Sequence, residues 1–197
     1  PRSRACRHMM NEGIVTSSNT IIMVALEDEL PAQLAPEWII LYTGVGKINA
    51  SIKATEAILQ NRPSHLINYG TAGALKTSIS GLNRVNRVMQ RDMDVRPLGF
   101  QLGHTPFDAI SHIDLGGPGI SVGTGDHFVT TEPELVTDIV DMEAYALAKV
   151  ARLFGIKFHC WKYISDNANE DAANHWTENV TKGSLEFIEQ VIDPLTT

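Results

Sequence analysis

Apolar and polar positions follow two rhythms along the chain. "IIMVAL", Ile21 to Leu26, is an unbroken apolar run of strand length, as a strand buried on both faces would be. "WIILYTG" reads as a second strand. "KINASIKATEAILQN" then changes to helical spacing, with apolar Ile48, Ile52, Ala54, Ala57, Ile58 and Leu59, and "NRP" closes it. "HLINYG" is a short strand that runs into "TAGAL", read as a turn. "NRVNRVM" alternates like a half-buried strand. From Gln90 to Pro118 no period is sustained among several Gly and Pro residues, which predicts long functional loops. "GISVGTG" is a strand ending in a glycine pair, and "VTDIVDM" is extended. "EAYALAKVARLF" has helical spacing with Gly155 as its stop. "IKFHCWKYI" is a long strand with Ile156, Phe158 and Cys160 on one face, and the tail from about Asp171 to Ile192 is amphipathic and helical. Strands alternating with helices, without an internal repeat, predict an α/β fold. Its form would be a three-layer α/β/α sandwich around a mixed, largely parallel central sheet. In such sheets ligands bind where strands end in loops.

Composition narrows the classes. A chain of 197 residues, 43% hydrophobic and 20% charged, has the size and balance of one soluble globular domain. Its apolar runs are too short to span a bilayer. A net charge of −7 argues against a nucleic-acid partner, which would need a basic face. Residues 1–20 are polar and aperiodic. They are read as a tail, disordered or, up to Met9 or Met10, tag-derived, ahead of a single domain over 21–197. Removing residues 1–8 takes away Arg2, Arg4 and Arg7 and no acid, which only sharpens the acidity. Of two cysteines, Cys6 lies in the tail and Cys160 in an apolar run, so neither a disulfide framework nor a cysteine metal cluster is expected. That usage suits a reducing cytoplasm, and no signal peptide is recognisable.

The chemistry collects at the strand ends. The first strand delivers Glu27, Asp28 and Glu29; the second "TGVGK"; the third "GTAG". Further on come "GTGDHFV", "DMEA" and "SDNAN". Acids can move protons or bind hydroxyls, and small residues let a ligand approach the backbone. No run of Lys or Arg accompanies them, so the ligand is not expected to be strongly anionic. Each motif also has a plainer reading. The first acids suit a solvated helical turn and "TGVGK" a helix-initiating turn, since it lacks phosphate-loop spacing. "GTAG" suits a tight turn, "DMEA" a helix N-terminus, and "SDNAN" an Asx turn.

In order, these segments resemble the nucleoside phosphorylase/nucleosidase superfamily, and most closely the bacterial 5′-methylthioadenosine/S-adenosylhomocysteine nucleosidases. "VALEDEL", "TGVGKINA", "INYGTAGAL", "RDMDVRPLGFQLGHTP", "TGDHFV", "VDMEAYALAKVA" and "ISDNAN" carry the resemblance, which runs from about Ile21 to the end. It implies a nucleoside phosphorylase-like fold and cleavage of a ribosyl C–N bond with release of adenine. An oxocarbenium-like sugar calls for three carboxyl tasks: activating water, binding the ribose hydroxyls and protonating the departing base.

By resemblance Glu29 is the water-activating base, with Glu27 and Asp28 supporting or solvated. Glu143 grips the 2′- and 3′-hydroxyls with Met142 along the ribose. Asp166, assisted by Ser165, protonates the purine at N7. Phe128 stacks on the base, the Val129 backbone reads its N1/N6 edge, and Thr71, Ala72 and Gly73 hold the nucleophilic water. Leu98, Phe100 and Pro106 line an apolar 5′-alkylthio pocket in a partner subunit, which implies a homodimer. No cofactor and no metal are implied. Phosphorylases of the superfamily open on an Arg-bearing turn, whereas this chain has "ALEDEL" there, and negative charge repels phosphate. Hydrolysis is therefore expected ahead of two alternatives, a purine nucleoside phosphorylase and an inactive storage-type scaffold. The chain also departs from the family pattern. Segments 30–42 and 130–138 are short, and Lys162 stands where many members have Arg, keeping the charge but losing the fork.

Overall fold

The apolar run at Ile21 becomes a strand with neighbours on both sides. A computed structural model, which describes residues 14–168, 176 and 179–196, forms β1 over Thr20–Val24, paired in parallel with β2 (Ile39–Tyr42) and β3 (His65–Ala74). Alternation in β1 explains why the run is continuous: Ile21 and Met23 face one core, Ile22 and Val24 the other, and all four are buried.

Between β2 and β3 lies α1 (Lys47–Asn61). After β3 come β4 (Leu82–Gln90), β5 (His112–Asp114), β6 (Ile120–Thr124) and β7 (Ile139–Asp141), then α2 (Ala144–Leu153) and β8 (Lys157–Asp166). A helical run over Gly183–Phe187, Ile188–Ile192 and Asp193–Thr196 ends the described chain. The sheet is mixed. β3 pairs in parallel with β8 and antiparallel with β7, while β4 pairs in parallel with β6 and antiparallel with β8 and β5. Since β6 also pairs with β7, strands β3, β8, β4, β6 and β7 close a ring within the sheet.

Helices cover both faces, which gives the expected three layers. On one face α1 contributes Ala50, Ala54, Ala57 and Ile58 and α2 contributes Ala144, Leu147, Ala148 and Ala151 to a core with Met23, Val85, Val122 and Phe158. On the other, Phe187, Val191 and Ile192 pack on Ile67, Tyr69 and Trp161. Val15 is buried in that second core, so the folded body takes in residues ahead of Ile21.

Three local readings change. "GTAG" is no turn: β3 runs through Ala74, because β8 and β7 hydrogen-bond it on either side. The Gln90–Pro118 region contains β5 and a short 3₁₀ turn, Arg96–Leu98. The apolar positions of α1 divide, with the alanines and Ile58 inside while Ile48, Ile52 and Leu59 stand 73%, 56% and 62% exposed. A face of small residues lets α1 lie close to the sheet, and the bulky ones are left outside. The proposed helix start near Asp171 lies outside the described residues. Among the described residues no helix is long and apolar enough to cross a membrane.

Candidate active site

The strand ends surround one cavity of about 400 Å³, a size that takes a small organic ligand. The acidic triplet at its edge folds as one 3₁₀ turn, Glu27–Glu29. That turn points Glu27 and Asp28 to solvent and buries Glu29, which is 4% exposed. Leu30 anchors it in the core, and its carbonyl accepts the Tyr42 hydroxyl at 3.0 Å. Glu29 is held at both oxygens. Oε1 accepts the Thr71 backbone N–H and the Thr71 hydroxyl, both at 2.7 Å; Oε2 accepts the Leu26 N–H at 3.2 Å. The Thr71 hydroxyl in turn accepts the Trp176 indole N–H at 2.8 Å. Gly70 makes the room: a Cβ there would sit 3.3 Å from Glu29 Oε1 and 3.4 Å from Lys162 Nζ.

Beside Glu29 is a buried charge cluster. Lys162 on β8 and Asp141 at the end of β7 meet at 2.8 Å with side chains 1% exposed each. Asp141 also caps α2, its Oδ2 accepting Glu143 N–H at 3.3 Å and Ala144 N–H at 2.8 Å. Its Oδ1 accepts the Thr124 hydroxyl at 2.5 Å. The helix-start reading of "DMEA" thus holds for Asp141, which frees Glu143 to face the cavity. Glu143 Oε1 accepts the Gly46 N–H at 2.9 Å. Burial, then the Asp141 charge, pushes the Glu143 carboxyl up to about 7, with Lys162 and the Gly46 N–H pulling it back. Burial acts to lower Lys162, but Asp141 and Glu143 outweigh it and hold the ammonium above its ordinary range.

At the far end is Asp166, last residue of β8. Its Oδ2 accepts the Ser165 hydroxyl at 2.7 Å and its Oδ1 the Ala168 N–H at 2.8 Å, an Asx turn that orients the carboxyl. Gly73 faces it closely enough that a Cβ would come within 2.7 Å of Oδ1, so only glycine fits there. Phe128 lies on this wall, 42% exposed, with Val129 buried next to it.

Glu29, Thr71, Ala72, Gly73, Phe128, Val129, Met142, Glu143, Ser165 and Asp166 all line the one cavity. Leu98, Phe100 and Pro106 do not. Leu98 is 70% exposed, and Phe100 packs edge-on against Phe107 on a loop outside the cleft. Sequence reasoning did not find Arg91, His127 or Trp176, which also line it. Arg91 and His127 stand inside "RDMDVRPLGFQLGHTP" and "TGDHFV", and Trp176 in the tail read as helical, but only the fold turns their side chains to the cavity. Arg91 is spent internally: Nε donates to the Gly123 carbonyl at 3.2 Å, Nη2 to the Gly125 and His127 carbonyls at 3.2 and 2.5 Å, and Nη1 lies 2.7 Å from His127 Nε2. The helix-starting lysine of "TGVGK", Lys47, bridges loops instead of facing the cavity, with Nζ 2.6 Å from Asp92 and its backbone N–H 2.7 Å from Asp126. Among the described residues, no group of three or more His, Cys, Asp or Glu side chains is placed to hold a metal ion.

Fold and cleft together define a phosphorylase-type α/β protein, and a family model described as the phosphorylase superfamily matches residues 117–193. A 5′-methylthioadenosine/S-adenosylhomocysteine nucleosidase of Staphylococcus saprophyticus is 31% identical over 186 residues, covering 81% of this chain and 81% of that protein. One of Shewanella piezotolerans is 28% identical, covering 89% and 88%. The chain belongs to the 5′-methylthioadenosine/S-adenosylhomocysteine nucleosidase family. Solved structures share its fold. The Helicobacter pylori nucleosidase with butyl-thio-DADMe-Immucillin-A matches at TM-score 0.79 and 22% identity, over 88% of this chain and 97% of that one. The Colwellia psychrerythraea nucleosidase in complex with adenine matches at 0.80 and 18%, over 89% and 93%.

Proposed function

We propose that this protein hydrolyses the N-glycosidic bond of 5′-methylthioadenosine, S-adenosylhomocysteine or a closely similar 5′-modified adenosine. The observation that carries the reading is the grouping of Glu29, Glu143 and Asp166 around one cavity, each carboxyl oriented by fixed donors. Glu143, anchored on Gly46, accepts the ribose hydroxyls, with Met142 along the sugar. Asp166 gives its proton to purine N7, so the C1′–N9 electron pair leaves with the base and C1′ becomes cationic. Buried carboxylates below the ring favour that charge. Water attacks C1′ while Glu29 takes its proton, leaving adenine and a sugar with a free anomeric hydroxyl. Phe128 stacks on the base and the Val129 backbone reads its edge.

Hydrolysis is favoured over phosphorolysis by the placing of charge. Glu29 occupies the floor where a phosphate would need cations. The cations lining or adjoining the cavity, Arg91 and Lys162, are engaged by carbonyls and by Asp141. Retention of all three oriented carboxyls argues against an inactive scaffold.

A homodimer completes the reading. Leu98, Phe107, Ile48 and Ile52 leave apolar surface in solvent. The Leu98–Pro106 segment would reach across to line the partner's 5′ pocket. Cytoplasmic residence rests on the cysteine usage alone. The test is adenine release from 5′-methylthioadenosine, followed chromatographically with and without phosphate. Equal release in both, with free methylthioribose, is expected. Release only with phosphate, giving a sugar 1-phosphate, would replace this reading by phosphorolysis.

A further inference from the structure

We propose that Trp176 is a positioning residue for the general base: through Thr71 it fixes which oxygen of Glu29 meets the attacking water. The inference rests on the hydrolase reading above. Its geometry is a directed chain. The indole Nε1–H can only donate, and it donates to Thr71 Oγ1 at 2.8 Å. A threonine hydroxyl has one proton and two lone pairs. With a lone pair engaged by the indole, that proton is directed to Glu29 Oε1, 2.7 Å away. The Thr71 backbone N–H reaches the same oxygen at 2.7 Å.

Oε1 therefore carries two strong donors, while Oε2 holds a single longer one, the Leu26 N–H at 3.2 Å. Oε2 is left as the oxygen with acceptor capacity for a water proton. Without the indole, the Thr71 hydroxyl is free to rotate and to compete with Glu29 for that water. Trp176 also lines the cavity, so the relay to Glu29 begins at the wall of the reaction space. Glu29 shares this end of the cleft with Lys162, Glu143 and the Tyr69 hydroxyl on β3. None of them is altered by the substitution below.

Trp176→Phe keeps the ring and removes the donor. On 5′-methylthioadenosine its kcat should fall about five- to tenfold, the worth of one neutral hydrogen bond, with KM nearly unchanged. Thr71→Val should match or exceed that fall in kcat, and adding Trp176→Phe to it should cost little more, since the two act in series.

An indole ¹H–¹⁵N spectrum reads the contact without turnover. The Trp38 and Trp161 nitrogens have no hydrogen-bond partner among the described residues. The signal lost in Trp176→Phe should therefore lie downfield of the other two, and it should move upfield in Thr71→Val and shift in Glu29→Gln. A Trp176→Phe enzyme with wild-type kcat would overturn the proposal. So would an indole signal indifferent to both Thr71→Val and Glu29→Gln. If the wild type releases no adenine, the hydrolase reading falls by itself, and the spectrum then decides the relay alone.

Discussion

The two ends of the cleft are held by different means. Around Glu29 and Glu143, where the sugar and water would lie, the carboxyls are buried and locked by backbone N–H groups from Thr71, Leu26 and Gly46, and a fully buried Lys162–Asp141 pair supports them. Around Asp166, the carboxyl is set by its own local turn and a neighbouring serine, and the aromatic wall, Phe128, is 42% exposed. One end joins four strand ends across long sequence separations; the other is mostly local. Charge develops on the sugar during bond cleavage, and electrostatic stabilisation works best when its dipoles are fixed beforehand. A base that only stacks and accepts one proton demands less. The contrast implies that damage at the sugar end should spread, while damage at the purine end should stay local.

The largest effect tests whether the ends are separable. Glu29→Gln keeps the shape and most hydrogen bonds of the side chain but cannot take a proton. Turnover should fall by ~10³-fold, within the 10²–10⁴ range of general-base catalysis. Adenine, which occupies only the purine end, should bind as it does to the wild type by calorimetry. Equal losses in turnover and adenine affinity would mean that the two ends form one unit. Persistent turnover would remove Glu29 from its role.

Lys162→Met comes next and concerns stability. It strands Asp141, with Glu143 close by, in a buried site without a counter-charge. Breaking one side of a buried pair costs ~3–5 kcal/mol, readable as a lowered urea midpoint. Because Asp141 caps α2 and borders β7, the loss should be global and not confined to the cleft. Lys162→Arg should recover much of it, if the guanidinium fits beside Gly70. A Lys162→Met protein as stable as the wild type would show that the cluster is neutral in the fold and needs no cation.

How far the sequence revealed this arrangement differs between the same two ends. Asp166, Ser165 and Phe128 lie in short contiguous motifs, and local motifs survive in one dimension. At the sugar end the acids were visible but their partners were not. Lys162 reads only as standing where many family members have Arg, and nothing linear joins it to Asp141, 21 positions earlier on another strand. "GTAG" reads as a turn by composition, yet pairing on both sides keeps it a strand, so tertiary context overrides glycine's preference. "DMEA" carries two meanings at once, a cap in Asp141 and a carboxyl lining the cavity in Glu143, and only the fold gives one to each. The ring closure of five strands depends on β8 reaching both β3 and β4, which no periodicity records.

The smallest expected effect is also the one that draws the line between the ends most finely. Glu143, pushed up to about 7 by burial and then by Asp141, is neutral below that pH and charged above it. As a carboxylate it accepts ribose hydroxyls with both oxygens; once protonated, one of those oxygens becomes a donor. KM for the nucleoside should therefore rise as pH falls through about 7, by several-fold per unit at most, since one titrating group gives no more than tenfold per unit. Glu143→Gln removes the titration, so its KM should be high and level across the same range. The Kd of free adenine has no ribose to report on Glu143 and should not follow that rise. If adenine affinity tracked the nucleoside KM through pH 7, the titrating group would belong to the purine end, and the division of the cleft drawn from its hydrogen bonds would not describe how it binds.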